Sequence, residues 1–162
     1  MAISELKLPQ GVTAHEYRTP ALLADGLAID VAERLRAAIS ARGEATLVVS
    51  GGRSPVAFFQ NLAKQGLDWS KVTITLADER WLSPQDKDSN AWLVRDSFLR
   101  HAEGAHFDPL VRVGLPIAEC VHTANLLATH SQPASNRMLA QAQNAGIYAD
   151  AGGATTPMAT QS

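Results

Sequence analysis

Blocks of apolar and polar positions follow one another along this chain, and their period changes from block to block. Leu23, Leu27, Val31, Leu35 and Ala38 recur every three or four residues and mark one face of a helix. Thr19 and Pro20 give that helix a hydroxyl cap and a proline in its first turn, and Gly43 gives it a stop. Ahead of it, Gly11 to Tyr17 alternates loosely and predicts a strand. Ala45 to Val49 is short, apolar and partly β-branched, which predicts a buried strand covered on both faces. Ser50-Gly51-Gly52-Arg53-Ser54-Pro55 breaks that run. A second helix then carries Phe58, Phe59 and Leu62, with Ser54 as its cap and Pro55 as its first residue.

Trp69 to Ala77 predicts the next strand, and Asp78-Glu79-Arg80 lies at its end. Asp88 or Ser89 caps a third helix bearing Trp92, Leu93 and Phe98. His106 to Val111 reads as a short strand. Pro116 opens a fourth helix with Ile117, Cys120, Val121, Ala124 and Leu127 on one face. Strands alternating with helices predict an α/β class with a mainly parallel sheet. The character changes beyond Pro133. Residues 134–162 are dominated by Ala, Gln, Thr, Gly and Ser, and only Arg137 and Asp150 among them are charged. Such a stretch buries too little apolar area to offset its ordering entropy. The expected organisation is a patterned domain over 1–133 and a low-complexity, disordered tail over 134–162, with a helical turn around Met138 to Gln143.

Composition narrows the classes. The 162 residues are 46% hydrophobic and 19% charged, enough for a core. Fourteen basic residues against 16 acidic give a net charge of -2, so no basic footprint invites nucleic acid or an acidic membrane. One cysteine, Cys120, excludes an intramolecular disulfide and a cysteine-cluster zinc site. No apolar run reaches the roughly 18 residues of a membrane span, and Met1 to Gly11 does not read as a secretory signal. A cytoplasmic protein is expected.

Two segments are candidates for chemistry. In the first, Gly51 and Gly52 let the backbone turn tightly and approach a ligand. A helix N-terminus, Arg53, Ser50 and Ser54 then offer donors to an anion such as phosphate. The segment is neither a Walker loop nor a GxGxxG turn, and an ordinary strand-to-helix connection has the same local pattern. The second is Ala77-Asp78-Glu79-Arg80-Trp81, which opens at the same sheet edge, where α/β sheets bind ligands. Its charges suit a sugar hydroxyl and a phosphate, or suit one another. The histidines 15, 101, 106, 122 and 130 show no helical metal-site spacing. Cys120 lies on an apolar helical stripe and reads as core.

Taken together, Leu47-Val-Val-Ser-Gly-Gly-Arg-Ser-Pro55, Asp68-Trp69-Ser70, Thr75-Leu-Ala-Asp-Glu-Arg-Trp81 and Asp88-Ser89-Asn90 resemble the bacterial 6-phosphogluconolactonase family. The likeness runs to about Pro133. The sister glucosamine-6-phosphate deaminases share the Ser-Gly-Gly turn but show Asp-Glu-Tyr where this chain has Asp78-Glu79-Arg80. The resemblance implies a Rossmann-like three-layer fold, incomplete at the C-terminus. It implies hydrolysis of 6-phospho-D-glucono-1,5-lactone to 6-phospho-D-gluconate in the oxidative pentose phosphate pathway, with no metal or cofactor. It assigns substrate and phosphate binding to Ser50, Gly51, Gly52, Arg53, Ser54, Asp78, Arg80 and Asn90.

The family's base is a histidine in a Gly-x-Gly-x-Asp-Gly-His-Thr-Ala-Ser segment that follows a buried strand. This sequence contains no such segment. His122-Thr123-Ala124 echoes it inside an amphipathic helix, without the glycine turn, and is a weak substitute. The resemblance thus implies a chain truncated or frameshifted after about residue 133, with little activity of its own. The alternatives are a non-catalytic phospho-sugar-binding fragment and a deaminase-like protein. An incomplete sheet also predicts self-association.

Overall fold

A computed structural model of the chain describes residues 6–131, 146–151 and 154–157. Helix α1 spans Pro20–Arg42. Thr19 caps it by accepting a hydrogen bond from the Leu22 N–H at 3.2 Å, and Gly43 ends it in the left-handed region. The caps are those expected, and of the expected stripe Leu35 is buried and Val31 and Ala38 pack against the core, but Leu23 and Leu27 do not. Ala24, Ala28, Ala32 and Leu35 face inward, one position on from the leucines at 23 and 27, which are exposed. Small side chains let α1 lie close to its neighbours, and the leucines take the outer surface. Residues 11–17, expected as a strand, form a turn and a stretch without regular structure or sheet partners among the described residues.

Strand β1 (Ala45–Val49) is followed by α2 (Val56–Ala63), a 3-10 turn (Trp69–Lys71) and β2 (Val72–Leu76). After β3 (Asp78–Arg80) come α3 (Asn90–Ser97), β4 (His106–Asp108) and α4 (Ile117–Ser131). β1, β2 and β4 form a parallel sheet in that order, with Ala45 beside Val72 and Val49 beside Leu76. Successive strands step the same way across the sheet, so right-handed crossovers send α2 and α3 to one face. There α1 packs along α2 and β1. The core between the helices and the sheet contains Ala45, Val49, Val72, Ile74 and Leu76 from the strands. Phe59, Leu62, Val94 and Phe98 oppose them, and Trp69 meets Phe98 edge-on at 5.3 Å.

The expected α/β class with a parallel sheet is therefore present. The expectation that β1 is covered on both faces is not met: Thr46 and Val48 are exposed. Cys120, Val121 and Ala124 of α4 are buried, as its stripe predicts. No helix among the described residues is long and apolar enough to cross a membrane. Within the segment expected as a tail, β5 (Gly146–Ala151) runs parallel to β3 and β6 (Ala154–Pro157) antiparallel to β5. The helical turn expected around 138–143 lies outside the described residues.

Candidate phosphate and sugar site

The paired ends of β1 and β2 put the two candidate segments side by side. Val49 and Leu76 are register partners, and the Ala77 N–H donates to the Val49 carbonyl at 2.8 Å. Ser50 and Asp78 thus leave the sheet at the same carboxyl edge. Gly52 turns the chain with φ of 89°, a conformation that side chains other than glycine rarely adopt.

Helix α2 starts one residue later than expected. Pro55 occupies the cap position, and no side chain caps the helix; the assignment of Ser54 as cap is corrected accordingly. Pro55 is helical in φ and ψ, so the chain enters α2 through a tight turn closed by the Val56 N–H and the Arg53 carbonyl at 3.3 Å. Uncapped first-turn N–H groups leave donors and the positive end of the helix dipole available to an anion. Ser50, Arg53 and Ser54 are exposed around this turn, and Arg53 makes no ion pair among the described residues.

Asn90, the first residue of α3, joins the two segments. Its side-chain amide donates to the Asp78 carbonyl at 3.0 Å. Its carboxamide lies so close to Gly51 that a Cβ at that position would collide with Asn90 Oδ1. A side chain at position 51 would therefore displace the Asn90 carboxamide, and no positive φ is involved there. Arg80 is exposed, and its guanidinium donates to the Asp88 carbonyl at 3.1 Å. Ser89, not Asp88, caps α3, accepting from the Trp92 N–H at 2.9 Å.

Glu79 lies within the second candidate segment, but the resemblance assigns it no binding role. As the middle residue of a three-residue strand it points opposite to Asp78 and Arg80. It is 1% exposed. One carboxylate oxygen accepts the N–H groups of Arg80 and Asn90 at 2.9 and 2.7 Å, and the other accepts the Ala91 N–H at 2.8 Å. An acid in the middle of the Asp78–Arg80 segment, eleven residues ahead of a helix start, was the available signal.

His122 is exposed on α4, next to the buried Val121, and makes no hydrogen bond or ion pair with a candidate residue among the described residues. No metal-ligand cluster occurs among the described residues. A cavity of about 270 Å³ lies beyond Arg80, between Trp81–Pro84 and Val111–Leu115.

A parallel α/β sheet with a glycine turn and an acid–arginine segment at its carboxyl edge defines the class. Residues 18–145 match the model of the glucosamine-6-phosphate isomerases/6-phosphogluconolactonase family, and the chain belongs to that family. A 6-phosphogluconolactonase of Pseudomonas aeruginosa is 50% identical over 126 residues, covering 77% of this chain and 53% of the relative. One of Xylella fastidiosa is 49% identical over 122 residues, 75% of this chain and 51% of the relative. The crystal structure of a 6-phosphogluconolactonase from Shewanella baltica superposes with a TM-score of 0.64 at 40% identity, over 68% of this chain and 48% of that one. The chain spans about half the length of the curated relatives it matches.

Proposed function

We propose that this chain carries the phosphate- and sugar-binding half of a 6-phosphogluconolactonase site. The reaction opens 6-phospho-D-glucono-1,5-lactone to 6-phospho-D-gluconate. Water adds to the lactone carbonyl, the ring C–O bond breaks, and the ring oxygen leaves with a proton. A lactone is an activated ester, so the enzyme must orient the substrate, hold the developing oxyanion and supply a base. Binding energy from the remote phosphate provides the orientation.

The observation that carries this reading is Asn90 seated on Gly51 and bonded to Asp78, which ties the Ser50–Pro55 turn to the Asp78–Arg80 segment. The uncapped start of α2, with Ser50, Gly51, Gly52, Arg53 and Ser54, takes the phosphate. Arg80 gives up its bond to the Asp88 carbonyl to reach the same group. Asp78 and Asn90 face the sugar hydroxyls. The likeness to lactonases at about 50% identity supports the substrate class.

These 162 residues contain no Asp-Gly-His-Thr segment to serve as base. General acid–base catalysis contributes about 10²–10⁴-fold, so lactone turnover by this chain alone is expected near the spontaneous rate. His122→Ala is expected to leave that rate unchanged.

Binding is the direct test. Calorimetry should show tighter binding of 6-phosphogluconate than of gluconate. Arg80→Ala should remove about 1.5–3 kcal/mol of that preference, the range for hydrogen bonds to charged groups. Equal binding of the two acids would overturn the assignment.

A further inference from the structure

Glu79 is a buried carboxylate with no cationic partner among the described residues. Burying such a group is costly unless hydrogen bonds replace its water. Three backbone N–H groups do so, and two of them, Asn90 and Ala91, begin α3. The helix already has an ordinary cap in Ser89, which accepts from the Trp92 N–H. Glu79 is thus a second acceptor for the same helix start, reaching it from a different element. Its third donor, the Arg80 N–H, belongs to the residue whose guanidinium is exposed at the site.

The consequence is geometric. The Asn90 N–H is fixed by Glu79, while the Asn90 side chain is fixed by the Asp78 carbonyl and packed on Gly51. A shift of the first turn of α3 would carry the carboxamide off Gly51 and loosen the glycine turn. We propose that Glu79 is the positioning residue of this site: its carboxylate clamps α3 to β3 and so sets Asn90 against Gly51. The inference rests on the phosphate-and-sugar reading above for its ligand, but not for its geometry.

The test compares Glu79→Gln with Ser89→Ala in the full chain. Both remove an acceptor from the start of α3, and both should lower thermal stability. Glutamine keeps the shape but turns an NH2 group toward one of the N–H donors. Glu79→Gln should weaken 6-phosphogluconate binding at least about tenfold, the effect of losing a hydrogen bond to a charged group. Ser89→Ala should stay within about twofold, because it leaves the Glu79 clamp intact. On an Asn90→Ala background Glu79→Gln should cost little further affinity, since its effect runs through Asn90.

Equal losses from Glu79→Gln and Ser89→Ala, or full additivity with Asn90→Ala, would overturn the proposal. If Glu79→Gln does not fold, amide exchange of the unaltered chain decides. Added 6-phosphogluconate should slow exchange at Asn90 and Ala91, and unchanged exchange there counts against the clamp. If the unaltered chain binds neither acid, the ligand reading falls. The clamp is then judged by the Gly51 amide resonance, which must move in Glu79→Gln and hold still in Ser89→Ala.

Discussion

Val48 and Val49 are neighbours of identical chemistry with opposite surroundings. Val49 is 5% exposed beneath the helices, and Val48 is 53% exposed on the other side of the same strand. The division continues across the sheet, where Val72, Ile74 and Leu76 are buried and Thr73 and Thr75 are half-buried. Alternation along a strand sends successive side chains to opposite faces, so each face needs its own cover. The order β1-β2-β4 sends both crossover helices to the same side, and α1 joins them there. An apolar run in a strand states what its two faces tolerate. Which face is covered depends on where the connections go.

The sharpest test of that difference pairs one residue from each face. Ile74→Ala empties a fully buried position and should cost about 2–5 kcal/mol in urea unfolding. Val48→Lys, on the open face, should change stability by no more than about 0.5 kcal/mol. Similar stability losses for the two substitutions would mean that the second face is covered in solution.

A smaller contrast lies on α1, between the buried Ala28 and the exposed Leu27. Ala28→Leu forces three more carbons into a closely packed seam and should cost about 1–3 kcal/mol. Leu27→Gln should stay within about 0.5 kcal/mol by the same chemical denaturation. The reverse order of effects would restore the leucine stripe as the packed face. Leu27 and Leu23 instead line an open cavity of about 230 Å³ with His15, Tyr17 and Asp30.

Element types were legible wherever punctuation and period agreed. Thr19, Pro20 and Gly43 bound α1, and Ser89 starts α3, because local caps act through backbone groups that the sequence places directly. The face of α1 was legible only in part, at Val31, Leu35 and Ala38 but not at Leu23 and Leu27. Its alanines and leucines form adjacent stripes, both apolar, and close approach to α2 selected the smaller residues. Gly11 to Tyr17 had the alternation of a strand but found no partner strand among the described residues. At the site, the sequence located the Ser50–Pro55 turn and the Asp78–Arg80 segment at one edge. It did not identify what joins them. Asn90 bonded to Asp78 and seated on Gly51 is a contact between distant positions, and the inward direction of Glu79 follows from strand geometry that three residues barely announce.

The smallest expected effect concerns the entrance to β2 on the covered face. Asp68 caps the 3-10 turn Trp69–Lys71 by accepting from the Ser70 N–H at 3.2 Å, and the Ser70 hydroxyl donates to the same oxygen. That turn seats Trp69 at the edge of the core. The Ser70 hydroxyl chiefly holds the Asp68 carboxyl below its ordinary value of 3.8; desolvation opposes it, and the Ser70 N–H and Lys71 add lesser support. A carboxyl whose folded value is depressed binds protons more readily in the unfolded chain, so stability rises with pH through that range. The contribution is fully present above the ordinary value and is lost as pH falls through the depressed one. Asp68→Asn keeps an acceptor oxygen and removes only the charge. The unaltered chain should be slightly more stable than this variant at about pH 6, and the gap should close in acid below the ordinary carboxyl range. A gap that persists unchanged at acid pH would assign the benefit of Asp68 to shape rather than to charge.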